Sequence, residues 1–280
     1  MFRSNKKKSD MNASSYDKVE VLLSIMNRTD SIEQIIHRTK IKSDAVIINQ
    51  CSDLNFVTTI NNGDEIKYLS IPEKGVGLSR NNALLRSSGD FLLFADEDEI
   101  LATNYDKIIM SAFEKIPDAD MIIFNIVSRN KNNPCHRIKK TKRVHRYNSL
   151  KYGAPRIAVK RSSIQRVNIS FSLLFGGGAK YSNGEDSIFI YQSIERGLRV
   201  YTCPDIIGSV GQQTSTWFNG YNDKFFKDKG VFFWNLSKRM AYFYCLLFVI
   251  RGRGFISSKT RIDILRLMDA GIKEYKLSEL

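Results

Sequence analysis

The chain has 280 residues, a hydrophobic fraction of 42% and a formal net charge of +14, from 43 Lys and Arg against 29 Asp and Glu. That length and apolar content suit one large domain, or one domain with an appendage, and exclude a chain too polar to build a core. The cationic excess favours an anionic partner, be it nucleic acid, an anionic membrane surface or a phosphorylated substrate.

The basic, polar residues 1–16 have no apolar stretch behind them and read as a disordered tail, not a signal peptide. Residues 19–25 (VEVLLSI) predict a first strand, and Thr29 or Asp30 can cap a helix over 31–39. Residues 45–49 (AVIIN) predict a second strand, followed by the polar turn 50–53, and 66–71 (IKYLSI) a third. A glycine-opened turn at 75–77 leads into a helix over 78–87, which Gly89 is placed to end. Residues 91–95 (FLLFA) are a short apolar run that fits a covered strand. Thr103 or Asn104 caps the next helix, Pro117 ends it, and 121–127 (MIIFNIV) is another buried strand.

The second half is less regular. Residues 129–146 carry eight Lys and Arg and no acid. A strand is predicted at 156–159, a flexible glycine loop at 175–178, a helix at 185–196 stopped by Gly197, and a strand at 199–203 ending before Pro204. From residue 225 the chain reads as helical, aromatic and basic, with Trp217 shortly before. The run 241–250 (AYFYCLLFVI) is too short to span a bilayer, and Lys238, Arg239, Arg251 and Arg253 fence it. A core helix and an interfacial membrane helix fit it about equally. Cys51, Cys135, Cys203 and Cys245 form no CxxC pair, which suggests neither zinc nor a disulfide framework and favours a reducing compartment.

Alternating strands and helices imply parallel βαβ units, whose ligands bind beyond the carboxyl ends of the strands. The turn at 49–53 and the acidic run Asp96-Glu97-Asp98-Glu99 both lie at such ends. Crowded carboxylates repel and resist desolvation, so a divalent cation, Mg²⁺ or Mn²⁺, is their natural partner. Residues two apart on an extended segment share a face, which would send Asp96 and Asp98 into the crevice and Glu97 away. Ser182-Asn183-Gly184-Glu185-Asp186 is either a plain helix start, with acids complementing the dipole, or the mounting of Asp186 as a general base behind the glycine loop. Gly75 to Asn81 lacks the third glycine of a dinucleotide fingerprint and any Gly-Lys-Ser/Thr; Arg80 and Asn81 could touch a diphosphate or a base. The basic stretch has few aromatics, which argues against a single-stranded nucleic-acid platform.

Together VLLSIMNRTDSI, INQCSD, GVGLSRNNALLRSSGDFLLFADEDE and NGEDSIFIYQSIERGLRVY, spread over 18–213, resemble the family 2 inverting glycosyltransferases of the GT-A fold. The resemblance implies an α/β domain over 17–224: a Rossmann-like, nucleotide-binding mixed sheet flanked by helices, with a donor half at 17–100 and an acceptor half at 101–224. A helical, basic and aromatic extension over 225–280 would follow. It also implies a nucleotide-sugar donor, usually a UDP-sugar, with Mn²⁺ or Mg²⁺. Asp96 and Asp98 would hold metal and donor, with Glu99 a further candidate ligand. In the Glu185–Asp186 pair the Asp would be the catalytic base. Met26, Asn27, Asn49, Ser52 and Asp53 would contact the nucleoside, and Arg80 and Asn81 match the family's Arg-Asn helix start.

Three departures stand out. The first strand lacks the family's terminal Pro, the second ends in Asn49-Gln50 instead of an acidic pair, and Gln212 or Gln213 stands where some relatives place a late histidine. The expected reaction is inverting transfer to a saccharide or lipid-linked saccharide, in surface-polysaccharide synthesis. It would take place in the cytoplasm, peripherally on an anionic membrane face and without nucleic acid. A sugar-phosphate nucleotidyltransferase would need a basic glycine-rich loop after the first strand, and a nucleic-acid-binding module would leave the acidic run unexplained.

Overall fold

The computed structural model describes residues 18–211, 220–252 and 259–278. The 1–16 tail, Gln212, Gln213, Trp217 and Arg253 lie outside them. In chain order the first half comprises β1 (Val19–Met26), α1 (Ile32–Thr39), β2 (Asp44–Gln50), β3 (Asn55–Asn61), β4 (Asp64–Ile71), α2 (Val76–Arg86), β5 (Phe91–Asp96) and β6 (Glu99–Leu101). The second half adds α3 (Tyr105–Lys115), β7 (Met121–Ser128), β8 (Lys142–Arg143), β9 (Ile157–Lys160), α4 (Arg161–Val167), α5 (Glu185–Glu195) and β10 (Val200–Val210). Three helices close the chain: α6 (Asp223–Leu236), α7 (Ala241–Arg251) and α8 (Arg261–Ser278).

All strands join one sheet in the order β3-β4-β2-β1-β5-β9-β7-β10-β6, with β8 on β10. The Val, Leu and Ile runs of β1, β2 and β5 are buried almost end to end, as expected of parallel strands covered on both faces. β1 pairs in parallel with β2 and β5. β9 runs antiparallel between β5 and β7, which makes the sheet mixed. α1 and α3 pack on one face. On the other, Phe171 and Phe189 stack with ring centroids 4.0 Å apart, and Phe94 meets both edge-on.

Several elements differ from the sequence reading. Ser31, not Thr29 or Asp30, caps α1: its hydroxyl accepts from the Gln34 N–H and the Gln34 side chain accepts from the Ser31 N–H, a reciprocal capping box. Asp30 instead pairs with Arg38 at 2.7 Å. Gly89 does not end α2. Its N–H donates to the buried Glu20 carboxylate, and a Cβ there would stand 2.6 Å from the Glu20 Cβ. β3 was not foreseen, although Asn62-Gly63 is the two-residue turn, both φ positive, that joins it to β4. β10 does not stop before Pro204. The strand bulges between Thr202 and Ile206, so the missing N–H costs no ladder bond, and pairing with β7 resumes as far as Val210.

α6, α7 and α8 are helical as expected, and they share a third apolar cluster with Phe175, Tyr181, Ile188 and Tyr191. At the α6–α8 crossing each helix presents a glycine, Gly230 against the Met268 backbone and Gly271 against that of Lys227. Side chains would hold these backbones apart. Gly230→Ala and Gly271→Ala are therefore each expected to cost about 1–3 kcal/mol of overpacking and to speed proteolysis after residue 259. Unchanged urea midpoints and cleavage rates would show that the helices are not in contact there.

Candidate active site

A cavity of about 350 Å³ opens at the carboxyl edge of the sheet. Its floor comes from the ends of neighbouring strands, Ser24 to Met26 of β1, Gln50 of β2 and Asp96 of β5. The registers Ser24↔Asp96 and Met26↔Gln50 set these side by side. One wall is the start of α2, where Gly75 adopts φ +136° and donates its N–H to the Gln50 side chain at 2.6 Å. The other is the start of α5 with the glycine loop. Gly177 accepts from the Val76 N–H at 3.0 Å, so the loop is already laid against α2.

Arg80 is the centre of the site. Its guanidinium is only 3% exposed and donates to three carboxylates: Asp186 at 2.6 Å, Asp96 at 2.9 Å and Glu185 at 3.3 Å. It also lies over the Phe171 ring at 5.3 Å. Burial alone would push the guanidinium toward losing its proton, but Asp186, Asp96 and Glu185 outweigh that and hold it charged. One cation against three acids leaves the cluster electron-rich. Burial, then repulsion from Asp186, lifts Glu185 to about 7. Burial also raises Asp96, against the pull of Arg80. Asp96 lies deep in the protein yet keeps 34% of its side chain open to the cavity.

The predicted residues fall into two groups. Met26, Arg80, Asp96, Glu185 and Asp186 converge on the cavity. Asn27, Asn49, Ser52, Asp53, Asn81, Asp98 and Glu99 are not among its lining residues. Asn49 is buried and donates to the Arg28 carbonyl and the Tyr68 hydroxyl, fixing the turn after β1. Ser52 and Asp53 lie exposed on the following turn. Asn81 bonds both backbone groups of Phe171, which seats that ring beneath Arg80. The chain turns at residues 97–98, so the strand alternation expected of Asp96 and Asp98 ends at Asp96. Glu97 consequently reaches the cavity, where it pairs with Arg28 at 3.0 Å. Asp98 sits at the rim beside Gly211, its carbonyl accepting from Arg129 at 2.7 Å. Glu99 is 1% exposed and neither carboxyl oxygen has a hydrogen-bond partner among the described residues. Burial, with Asp96 and Asp98 nearby, pushes its pKa well up.

Other lining residues take roles that the sequence did not show. Gln50, expected in a polar turn and in place of an acidic pair, ends β2 and accepts from the Gly75 N–H. Asn183 is held by Lys229 of α6 at 2.8 Å, and Ser182 donates its N–H to Asp228. Burial pushes the Lys229 ammonium down to about 8 while the Phe232 ring lies 4.7 Å beneath it. No local pattern announces such a contact across 46 positions. Among the described residues no three His, Cys, Asp or Glu side chains form a ready metal cage. The hard oxygen donors do suit Mg²⁺ or Mn²⁺, which take one or two carboxylates and complete their shell with water and substrate phosphates.

Removing Arg80 would leave three acids crowded without their cation. Arg80→Met is expected to lose about 3–5 kcal/mol in urea unfolding, against at most about 1 kcal/mol for Arg146→Met at the exposed Arg146–Glu195 pair. Equal losses would mean that the cluster does not depend on the guanidinium.

The model of the family described as Glycosyl transferase family 2 matches residues 21–170. No curated protein sequence matches significantly. Among solved structures, residues 1–349 of S. aureus TarS align over 92% of this chain and 82% of theirs, at 15% identity and a TM-score of 0.62. TarS 1–349 in complex with UDP-GlcNAc aligns over 92% and 71%, at 13% identity and a TM-score of 0.58. The mannosyltransferase PcManGT from Pyrobaculum calidifontis, in complex with GDP-Man and Mn²⁺, aligns over 93% and 75%, at 12% identity and a TM-score of 0.51. At these identities the structural likeness speaks for the fold, which is GT-A, while the family model covers more than half of the sequence. The chain belongs to glycosyl transferase family 2.

Proposed function

We propose that this glycosyltransferase moves a sugar from a nucleoside-diphosphate sugar, a UDP-sugar in the first instance, to a hydroxyl of a saccharide or lipid-linked saccharide, inverting the anomeric carbon. The observation that carries the reading is the convergence of Asp96, Glu185 and Asp186 on Arg80 at the carboxyl edge of the sheet. That edge is where an open α/β sheet binds its ligand. The UDP-GlcNAc and GDP-Man complexes of structural relatives support a donor of this class.

In this reading the diphosphate lies between the α2 start and Asp96. Asp96 would hold Mg²⁺ or Mn²⁺ from the cavity side, with Asp98 at the adjoining rim as the second carboxylate, and the ion when bound neutralises charge on the departing diphosphate. Asp186 takes the proton of the acceptor hydroxyl. Its Oδ1 is anchored to Arg80, while Oδ2 faces Gly153, so the carboxylate is fixed in direction with one oxygen clear of the guanidinium. Both terminal nitrogens of Arg80 are engaged by the three acids, so its part is to position them. The glycine loop, seated on α2, shields the donor from water.

Membrane attachment is the second element. Among the described residues no helix is long and apolar enough to cross a bilayer. α7 buries Ala241, Cys245 and Val249 but exposes Tyr242, Phe243, Leu246 and Ile250. Lys238, Arg239 and Arg251 are exposed at its ends. An apolar face with cationic flanks supports peripheral binding to anionic lipid, and thereby a role in surface-polysaccharide assembly at the cytoplasmic face.

Thermal-shift measurements across nucleotide sugars should show stabilisation by one donor only with Mn²⁺ or Mg²⁺, lost with EDTA or in Asp98→Ala. No donor-dependent shift under any condition would contradict the donor assignment. Asp186→Asn should keep donor binding while kcat falls by about 10²–10⁴-fold. Normal turnover would move the base elsewhere. On flotation with anionic vesicles, wild type should rise and Leu246→Glu should not; equal behaviour would remove the α7 contact.

A further inference from the structure

A second cavity, of about 610 Å³, lies at the carboxyl end of β7 beside the β10 bulge. It is built from the basic stretch that the transfer site leaves unused. Its floor is apolar: Ile126, Val127, Ile138 and Ile206, of which Val127 and Ile206 remain 48% and 50% exposed. Its rim carries Lys131, Arg137 and Lys139, and no Asp or Glu lines it. None of these three cations enters an ion pair among the described residues, whereas Arg28, Arg38, Arg80 and Arg166 all do. Apolar surface left open beneath unpaired positive charge is complementary to an amphiphile with an anionic head.

The wall of this cavity is tied to the transfer site at two points. At one end Arg129 donates to the Asp98 carbonyl at 2.7 Å. In the middle the buried Arg156 donates to the His136 carbonyl at 2.9 Å. Arg156 ends the short turn that begins at Gly153, where a Cβ would stand 3.4 Å from Asp186 Oδ2. The turn from Gly153 to Arg156 therefore runs from the free oxygen of the proposed base to the backbone between Cys135 and Arg137 of the cavity wall.

We infer that this cavity takes the phosphate-bearing apolar part of the acceptor, a sugar carried on an isoprenyl or alkyl phosphate. The phosphate meets Lys131, Arg137 and Lys139, the hydrocarbon covers Val127 and Ile206, and the acceptor hydroxyl extends past Gly153 to Asp186. The assignment rests on the transferase reading and names the acceptor class for it. Free phosphate would satisfy the cations but leave the apolar floor bare, and a neutral lipid would do the reverse.

The test is calorimetric titration of the full chain with farnesyl phosphate, farnesol and inorganic phosphate. Farnesyl phosphate should bind at least tenfold more tightly than either of the others. Val127→Asp and the double variant Arg137→Ala/Lys139→Ala should each weaken it at least tenfold. Lys142→Ala, a cation of the same stretch outside the cavity, should not. All three altered positions are at the surface, and unchanged melting temperatures would confirm folding. Equal affinity for inorganic phosphate or farnesol, or wild-type affinity in the cavity variants, would overturn the assignment. Donor-induced thermal shifts on the same proteins separate the two claims. Donor binding retained while the cavity variants leave lipid-phosphate binding unchanged sinks this inference alone, whereas absence of any donor shift in wild type sinks the transferase reading.

Discussion

A single buried guanidinium joins the two halves of this molecule. Arg80 stands on α2, Asp96 at the tip of β5 sixteen positions later, and Glu185 and Asp186 at the start of α5 more than a hundred positions later. Taking that cation out of water is costly, and only the acids around it make the position tenable. Three acids exceed one cation, so the cluster remains short of positive charge. Glu185, lifted to about 7 by burial and by Asp186, relieves part of that excess by holding its proton. A divalent cation at the mouth would relieve the rest. The arrangement thus links folding to the shape of the cavity: the ion pairs that lock α5 onto the sheet also aim Asp186 and leave Asp96 partly open.

Much of this was legible in the sequence because the rules involved are local. Strand ends, the glycine-opened turn of α2, and the acids at the start of α5 each follow from residues within a few positions of one another. What was not legible depends on partners distant in sequence. The antiparallel insertion of β9 between β5 and β7 has no signature in IAVK. The β10 bulge lets a strand pass through Pro204, which read locally is a stop. The alternation rule placed Asp98 in the crevice and failed because the chain turns at 97–98, bringing Glu97 inward. Asn49 and Asn81 have the chemistry to bind a ligand but use it on the backbone of Arg28 and Phe171. Asn62-Gly63 was a missed local signal, since two consecutive residues suited to positive φ mark a hairpin.

The closing helices show why the apolar run at 241–250 supported two readings. Ala241, Cys245 and Val249 complete the third core cluster, while Tyr242, Phe243, Leu246 and Ile250 face outward. One helix is core on one side and an apolar surface on the other. The same helical unit reaches the candidate site through α6, where Lys229 and Asp228 fix Asn183 and Ser182 at the cavity wall. A contact of α7 with lipid would therefore lie two packed helices from the donor cavity, not on a detached appendage.

The measurement closest to the central claim is anomalous diffraction at the manganese edge, from crystals grown with MnCl₂ and a nucleoside diphosphate. The account predicts one manganese peak within bonding distance of an Asp96 or Asp98 oxygen and of the diphosphate, with Arg80 still holding Asp186. A nucleotide bound away from the β5 tip, or a manganese peak at neither carboxylate, would contradict it.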